Sequence, residues 1–249
     1  MDILSSEEEL RYNRQISLKK FDFYGQEALK KSSTLILGLG GLGCTASQYL
    51  AAAGAGTLTL VDNDFVELSN LQRQILHNDS TIGKLKVVSA AKALRQLNPH
   101  VQVNIIAQRL ADEALSTLIA KHSLVLDCSD NIETRNQLNR LCFSHKTPLV
   151  NGAVIRLEGQ VSVFTYSKNE PCYRCLSTMF GDQESNCTEM GILSPVVGII
   201  GAMQALEAIK VISRFSPLPS GKLMMFDAMD SKWHTFTILK NAYCSVCNN

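Results

Sequence analysis

Residues 34–43 read Thr34-Leu35-Ile36-Leu37-Gly38-Leu39-Gly40-Gly41-Leu42-Gly43, an apolar run that breaks into a complete GxGxxG. The apolar run reads as a short buried strand. Ala46 to Ala53, stopped by Gly54 and Gly56, reads as a helix. Thr57-Leu58-Thr59-Leu60-Val61 is the next strand and ends at Asp62. Strand, glycine turn, helix and strand in this order predict a βαβ unit with a right-handed crossover. Such a turn lets backbone N–H groups approach phosphate oxygens, and the helix N-terminus adds a favourable partial positive charge. A carboxylate at the end of the second strand can accept hydrogen bonds from ribose hydroxyls. Gly38, Gly40, Gly43 and Asp62 are therefore candidate nucleotide contacts, and the turn alone does not choose between a dinucleotide and ATP.

On the N-terminal side, Glu8 to Phe21 predicts an amphipathic helix or arm. On the C-terminal side, helices are expected over Lys84–Leu97 and Asp112–His122, and strands over Val101–Ala107 and Ser123–Leu126. This alternation predicts a Rossmann-like, mostly parallel sheet. After Pro148 the pattern changes to antiparallel strands, over Leu149–Tyr166 with a turn at Gly159 and over Lys222–Leu239. Ser177 to Gly191 is polar and irregular, a loop of functional length. Val196 to Ser213 is a strongly apolar helix that suits either core burial or a dimer contact.

At roughly 100–200 residues per domain, a chain of 249 residues holds one large domain or two small ones. Hydrophobic residues make up 45% and charged residues 19%, an ordinary globular balance. The formal net charge of +1 disfavours a dedicated nucleic-acid binder. The acidic N-terminus shows no signal peptide, and Pro195–Ile209, broken by Gln204 and Glu207, is too short to span a bilayer. The expectation is a cytoplasmic protein with no nucleic-acid or membrane partner.

Cations decide between the nucleotides. A triphosphate carries more charge than a dinucleotide bridge, and a cation about 4 Å from a phosphate charge gains roughly 4 kcal/mol at an effective dielectric near 20. Arg73, in Ser69-Asn70-Leu71-Gln72-Arg73-Gln74, and Lys86 are suitable cations, and Asp130 is a suitable Mg²⁺ ligand. Taken singly, each is equally well explained as a solvated surface residue.

Among eight cysteines, Cys172/Cys175 and Cys244/Cys247 form two CxxC pairs. Two such knuckles supply a closed tetrahedral S₄ site for Zn²⁺, with no open position and hence a structural role. Redox use or unrelated buried thiols would not account for two pairs flanking the antiparallel extension. Cys44, Cys128 and Cys142 read as small buried apolar residues. His77, His100, His122, His145 and His234 show no ligand spacing and receive no role.

Taken together, Arg11-Tyr12-Asn13-Arg14-Gln15, Gly38 to Gly43, Asp62 with Ser69 to Gln74, Asp127-Cys128-Ser129-Asp130-Asn131 and Cys172-Tyr173-Arg174-Cys175 resemble the ThiF/MoeB/HesA adenylyltransferases. These are relatives of the ubiquitin-activating enzymes. The resemblance covers essentially the whole chain. It looks closest to the molybdopterin-synthase branch through Arg14-Gln15-Ile16, Phe21-Asp22, Leu149 to Ala153 and the Gly198–Lys210 helix. It implies a single adenylyltransferase domain over 1–249, with a nucleotide-binding part at 1–148 and the extension, loop and zinc site at 149–249.

The implied reaction is ATP-dependent adenylation of a small ubiquitin-like sulfur-carrier protein ending in Gly-Gly, the molybdopterin synthase small subunit. A sulfurtransferase would act downstream. By family position Gly41 contacts phosphate, Asp62 holds ribose, and Asn70, Arg73 and Lys86 steady the triphosphate. Ser69, Leu71, Gln72 and Asn131 line the nucleotide, Asp130 carries Mg²⁺, and Arg14 reaches the nucleotide of the other subunit of a homodimer. Cys187, flanked by Glu184 and Glu189 with no local cation, is expected to be dispensable for adenylate formation. The alternatives are the same chemistry on the thiamin-pathway carrier, an NAD(P)-dependent oxidoreductase and a non-catalytic zinc scaffold. An oxidoreductase leaves Arg73, Lys86, Asp130 and the S₄ knuckle without roles.

Overall fold

The strands are β1 (Ser33–Leu37), β2 (Thr57–Val61), β3 (Gln102–Ile106), β4 (Leu124–Asp127), β5 (Leu149–Ile155), β6 (Glu158–Phe164), β7 (Lys222–Asp227) and β8 (Lys232–Thr237). The helices are α1 (Ser6–Ile16), α2 (Asp22–Lys31), α3 (Gly41–Ala52), α4 (Lys86–Leu97), α5 (Asp112–Ile119), α6 (Ile132–His145), α7 (Tyr173–Ser177) and α8 (Ser194–Ser213). The computed structural model describes residues 3–179 and 191–248; Cys187, with most of the 177–191 segment, lies outside the described residues.

All eight strands join one sheet in the order β3-β2-β1-β4-β5-β6-β7-β8. β1 to β5 pair in parallel, while β5–β6, β6–β7 and β7–β8 are antiparallel. This is the expected α/β class, a Rossmann-like parallel half extended by antiparallel strands.

Strand alternation assigns the two faces. Ile36, Leu58, Leu60, Leu126 and Val150 pack with α3, α4 and α8, whereas Leu35, Leu37, Val125 and Leu149 pack with α5 and α6. β1 and β4, covered on both sides, therefore read as continuous apolar runs.

Four expectations need correction. α3 begins at Gly41, inside the glycine motif, because Gly40 sits in the extended N-cap position. The β5–β6 hairpin turns at Arg156 and Leu157, with Ile155 opposite Glu158 and Arg156 at φ 54°; Gly159 lies within β6. It is glycine because a Cβ there would lie 2.3 Å from Ile200 Cγ1. β5 itself is the last parallel strand as well as the first antiparallel one. Finally, the apolar C-terminal stretch forms a 20-residue helix, long and apolar enough by length and composition to cross a bilayer. In this fold α8 instead packs on α3, where a Cβ on Gly201 would lie 2.7 Å from Thr45 Cβ. Three helices, α2, α6 and the short α7, lie outside the expected elements.

α1 closes the sheet edge where the strands begin. Ser5 and Glu8 form a reciprocal capping box, and Tyr12 is buried beside Gly54 with its hydroxyl accepting from Asn98 Nδ2 at 2.8 Å. Glu8 is nearly inaccessible and pairs with Lys30 of α2. Burial pushes its carboxyl up, but the Lys30 and Ser5 donors outweigh burial and hold it below the ordinary glutamate value.

Removing Lys30 strands a buried carboxylate. Lys30→Met should cost about 2–3 kcal/mol in urea unfolding, and Glu8→Gln in the same chain should recover much of it. Because the Glu8 pKa is depressed, the pair's contribution should be full above the unfolded glutamate pKa and fade as pH falls through the folded one.

Candidate nucleotide site and cysteine cluster

The glycine turn leaves β1 and enters α3 at the sheet edge where the parallel strands end. Gly38, at φ +91°, donates its N–H to the Val61 carbonyl at 2.9 Å. A Cβ on Gly38 would lie 2.7 Å from the Cys128 carbonyl oxygen, so the turn rests on the loop that follows β4. At Gly43 a Cβ would come 1.9 Å from the Gly38 oxygen, and at Gly41 it would come 2.4 Å from Val197 Cγ1 of α8. Gly40 differs: its Cβ position meets only Gln74 Nε2, at 3.9 Å. The N-terminus of α3 carries no side-chain cap, which leaves its N–H groups for an anion.

Asp62 stands behind this turn. Its Oδ2 accepts from the Leu39 N–H at 2.6 Å and its Oδ1 from the Asp64 N–H at 2.8 Å. Burial pushes the Asp62 carboxyl up, and those donors together with the nearby Lys86 charge oppose the rise. Lys86 is buried at the first position of α4, its Nζ 2.8 Å from Asp64 Oδ2.

A single 3₁₀ turn, Leu68–Asn70, brings Ser69, Asn70 and Arg73 to the glycine side. The Arg73 carbonyl and Cγ lie 3.1 and 3.5 Å from the Cβ position of Gly41. Arg73 Nη1 donates to the Ser69 carbonyl at 3.1 Å, and Asn70 Oδ1 accepts from the Glu67 N–H. Leu71 is half-buried in the same turn. Gln72 points elsewhere, its Oε1 accepting from Ser194 Oγ at 2.6 Å at the start of α8.

Across the crevice, Asp127 is fully buried and accepts from Ser129 N (3.0 Å), Ser129 Oγ (2.6 Å) and Asn151 Nδ2 (2.8 Å). Gln204 Nε2 of α8 donates to the Asp127 carbonyl at 2.8 Å. This network holds the loop that carries exposed Asp130. Asn131 Oδ1 caps α6 through the Thr134 N–H at 2.9 Å, so its side chain is committed to the helix end.

Arg14 does not join this cluster within the chain. It is exposed on α1, which packs near the C-terminal ends of α3 and α4. Twelve residues of α3 at about 1.5 Å each put roughly 18 Å between those ends and the glycine turn. Sequence reasoning missed Asp64, Asp127, Asn151, Gln204 and the buried Gln74, whose Oε1 has no partner among the described residues. Gln74, Asp127, Asn151 and Gln204 lie inside stretches that carry the family resemblance, but their partners are distant in sequence, and Asp64 lies in none of those stretches.

The four cysteines of the two CxxC pairs converge, although 72 residues separate the partners. Cys172 and Cys244 sulfurs lie 3.6 Å apart, Cys175 and Cys247 sulfurs 3.5 Å apart, and all four fall within 4.8 Å of one another. Zn–S bonds of about 2.3 Å in a tetrahedron require sulfur separations of about 3.8 Å, so the thiols fit such an ion. All four are buried and none is in a disulfide. Asn139 Nδ2 donates to Cys172 Sγ and the Asn241 N–H to Cys175 Sγ. At Cys244 burial is outweighed by the Cys247 and Val246 N–H groups, which lower its pKa, whereas burial pushes the Cys172 and Cys247 thiols up.

A family model described as the ThiF family matches residues 12–246. The chain is 56% identical over 244 residues to the molybdopterin-synthase adenylyltransferase of Escherichia coli strain K12, covering 98% of each protein. It is 44% identical over 238 residues to the sulfur carrier protein ThiS adenylyltransferase of the same strain, covering 96% of this chain and 94% of that protein. The crystal structure of E. coli MccB with ATP superposes with a TM-score of 0.82 at 25% identity, covering 99% of this chain and 75% of that one.

The contrasting surroundings of two glycines give a test. Gly43→Ala must displace the Gly38 carbonyl and should lose about 1–3 kcal/mol in thermal or urea unfolding. Gly40→Ala makes only an ordinary contact, with Gln74 Nε2, and should stay within about 1 kcal/mol of the parent.

Proposed function

The chain belongs to the ThiF family, and from that premise we propose that it is an adenylyltransferase using ATP to activate the C-terminal glycine carboxylate of a small ubiquitin-like sulfur-carrier protein, the molybdopterin synthase small subunit, for molybdenum cofactor biosynthesis. The observation that carries the reading is the pair of cations, Arg73 and Lys86, gathered beside the glycine turn and Asp62. A triphosphate carries more charge for them to neutralise than a dinucleotide bridge does. The greater likeness to the molybdopterin-synthase enzyme than to the ThiS enzyme, 56% against 44%, favours the molybdopterin carrier.

In this reading Gly38, Gly40, Gly41 and Gly43, with the uncapped start of α3, receive phosphate oxygens. Asp62 accepts from the ribose hydroxyls. Ser69, Asn70, Leu71, Arg73 and Lys86 surround the triphosphate, while Gln72, expected there as well, is turned to Ser194. The carrier carboxylate attacks the α-phosphorus, the bond to the bridging oxygen breaks, and pyrophosphate leaves an acyl-adenylate behind. The enzyme's share is positioning and charge neutralisation. Asp130, beside Asn131, would hold Mg²⁺, which supplies charge neutralisation at the departing pyrophosphate. Arg14 acts from the second subunit of a cytoplasmic homodimer, a reading supported by its distance from the turn in its own chain. Segments 1–148 and 149–249 work as one unit because β4 and β5 lie side by side. Cys172, Cys175, Cys244 and Cys247 hold a structural Zn²⁺, and a sulfurtransferase acts on the product.

ATP–pyrophosphate exchange with a panel of Gly-Gly-ended carriers tests the assignment. Exchange should be fastest with the molybdopterin synthase small subunit. Faster exchange with the thiamin-pathway carrier would move the substrate, and none with any carrier would end the reading.

Asp130→Ala should lower exchange about a hundredfold or more in a folded protein, and Arg14→Ala by at least as much, since arginines supplied in trans are worth roughly 10³–10⁵ in rate. Mixing the two inactive variants under subunit exchange should restore part of the activity, read against each alone.

Elemental analysis should find one zinc per chain. Cys244→Ala should lose metal and thermal stability together, since an ion joining segments 72 residues apart contributes directly to folding.

A further inference from the structure

His77 lies outside every role assigned above, yet it is buried directly behind the glycine turn. Its Nε2 is 3.3 Å from the Leu39 carbonyl oxygen and its Nδ1 is 2.9 Å from Ser89 Oγ of α4. A carbonyl oxygen only accepts, so the Nε2 contact is a hydrogen bond in the tautomer that carries its proton on Nε2, which leaves Nδ1 to accept from the Ser89 hydroxyl. Burial holds the imidazole below the ordinary histidine value, in keeping with this neutral tautomer. Cys44 Sγ also reaches the Leu39 oxygen, at 3.3 Å, and lies 3.6 Å from His77 Nε2. Burial pushes that thiol up to about 12, so the two form no thiolate–imidazolium nucleophile, and a neutral thiol is the weaker of the two donors.

The Leu39 carbonyl belongs to the peptide whose other end is the Gly40 N–H. In a trans peptide these two groups point in opposite directions. Turning the carbonyl back onto His77 therefore turns the Gly40 N–H away from it. That N–H has no acceptor among the described residues. The preceding peptide is held independently by Asp62, through the Leu39 N–H.

We propose that His77 is a positioning residue for the nucleotide phosphates: its Nε2–H anchors the Leu39 carbonyl and so aims the Gly40 N–H away from the imidazole, while Ser89 fixes the tautomer. The proposal rests on reading the turn as an ATP site. A phosphate held before and during reaction by the same N–H is bound uniformly, so the loss falls on the ATP KM rather than on kcat.

The test compares three substitutions by carrier-dependent ATP–pyrophosphate exchange and by calorimetric ATP binding, with the melting temperature of each. Gln places an amide N–H near the Nε2 position, Asn reaches only the Nδ1 position, and Leu keeps bulk without a donor. His77→Leu and His77→Asn should each raise the ATP KM about tenfold, the scale of one hydrogen bond serving a charged group, with kcat little changed. His77→Gln should restore the KM to near the parent value. Equal KM values across the series, or KM values that follow melting temperature regardless of the donor, would overturn the proposal. A parent protein that binds ATP but exchanges no pyrophosphate would end the adenylation reading, and the dissociation constants of the same variants would still decide His77. A parent that binds no ATP overturns both.

Discussion

β1 and β4 lie side by side in register, yet their chains leave the sheet toward opposite faces. α3 carries the chain from β1 over one face to β2, and α6 carries it from β4 over the other to β5. Two loops that diverge from adjacent strands must leave a crevice between them, and ligands of open α/β sheets bind there. The narrowness of this crevice explains its composition. Gly38 lacks a side chain because the Cys128 carbonyl occupies that space, and Gly43 lacks one because α3 abuts the end of its own strand. The same contacts bring the start of α3, with its unpaired N–H groups, against the loop bearing Asp130.

The antiparallel half supports the crevice from behind. α8 lies along α3 and sends Gln204 under the sheet edge, where its amide holds the Asp127 carbonyl and where Gly152 clears space for it. A buried amide in so apolar a helix is costly unless bonded, and here each end of it finds a partner at the β4 terminus. Glu207, a second buried polar group, is held by Lys210 one turn later. The cysteine cluster fastens the end of the chain to α7 and, through Asn139, to α6. That linkage joins the last strands to the helix whose N-terminus borders the crevice.

Charge is distributed with the same economy. Asp127 accepts two hydrogens from Ser129 and one from Asn151, which fix the orientation of its carboxylate. Asp62 spends both oxygens on backbone N–H groups, which sets its orientation while burial favours its neutral form. Lys86, held by Asp64, stands close enough to oppose that tendency.

The sequence by itself determined the elements whose signals are local. The run Thr34 to Leu37, the glycines after it and the strand ending at Asp62 identify the βαβ unit, because a buried parallel strand is continuously apolar and a phosphate turn needs glycine at set spacings. The two CxxC pairs likewise declared a four-sulfur set before any contact was known. Only the tertiary structure decided what each residue faces. Gly159 looked like a turn and proved to be clearance for Ile200, while the turn fell on Arg156. Arg14, expected to serve the nucleotide of a second subunit, lies on α1 by the far ends of α3 and α4 from the glycines of its own chain. His77, one of five histidines without a pattern, is separated by 38 residues from the carbonyl it holds. Period and spacing report neighbours along one strand or helix. Contacts across the fold arise from how those elements stack, and no local pattern encodes them.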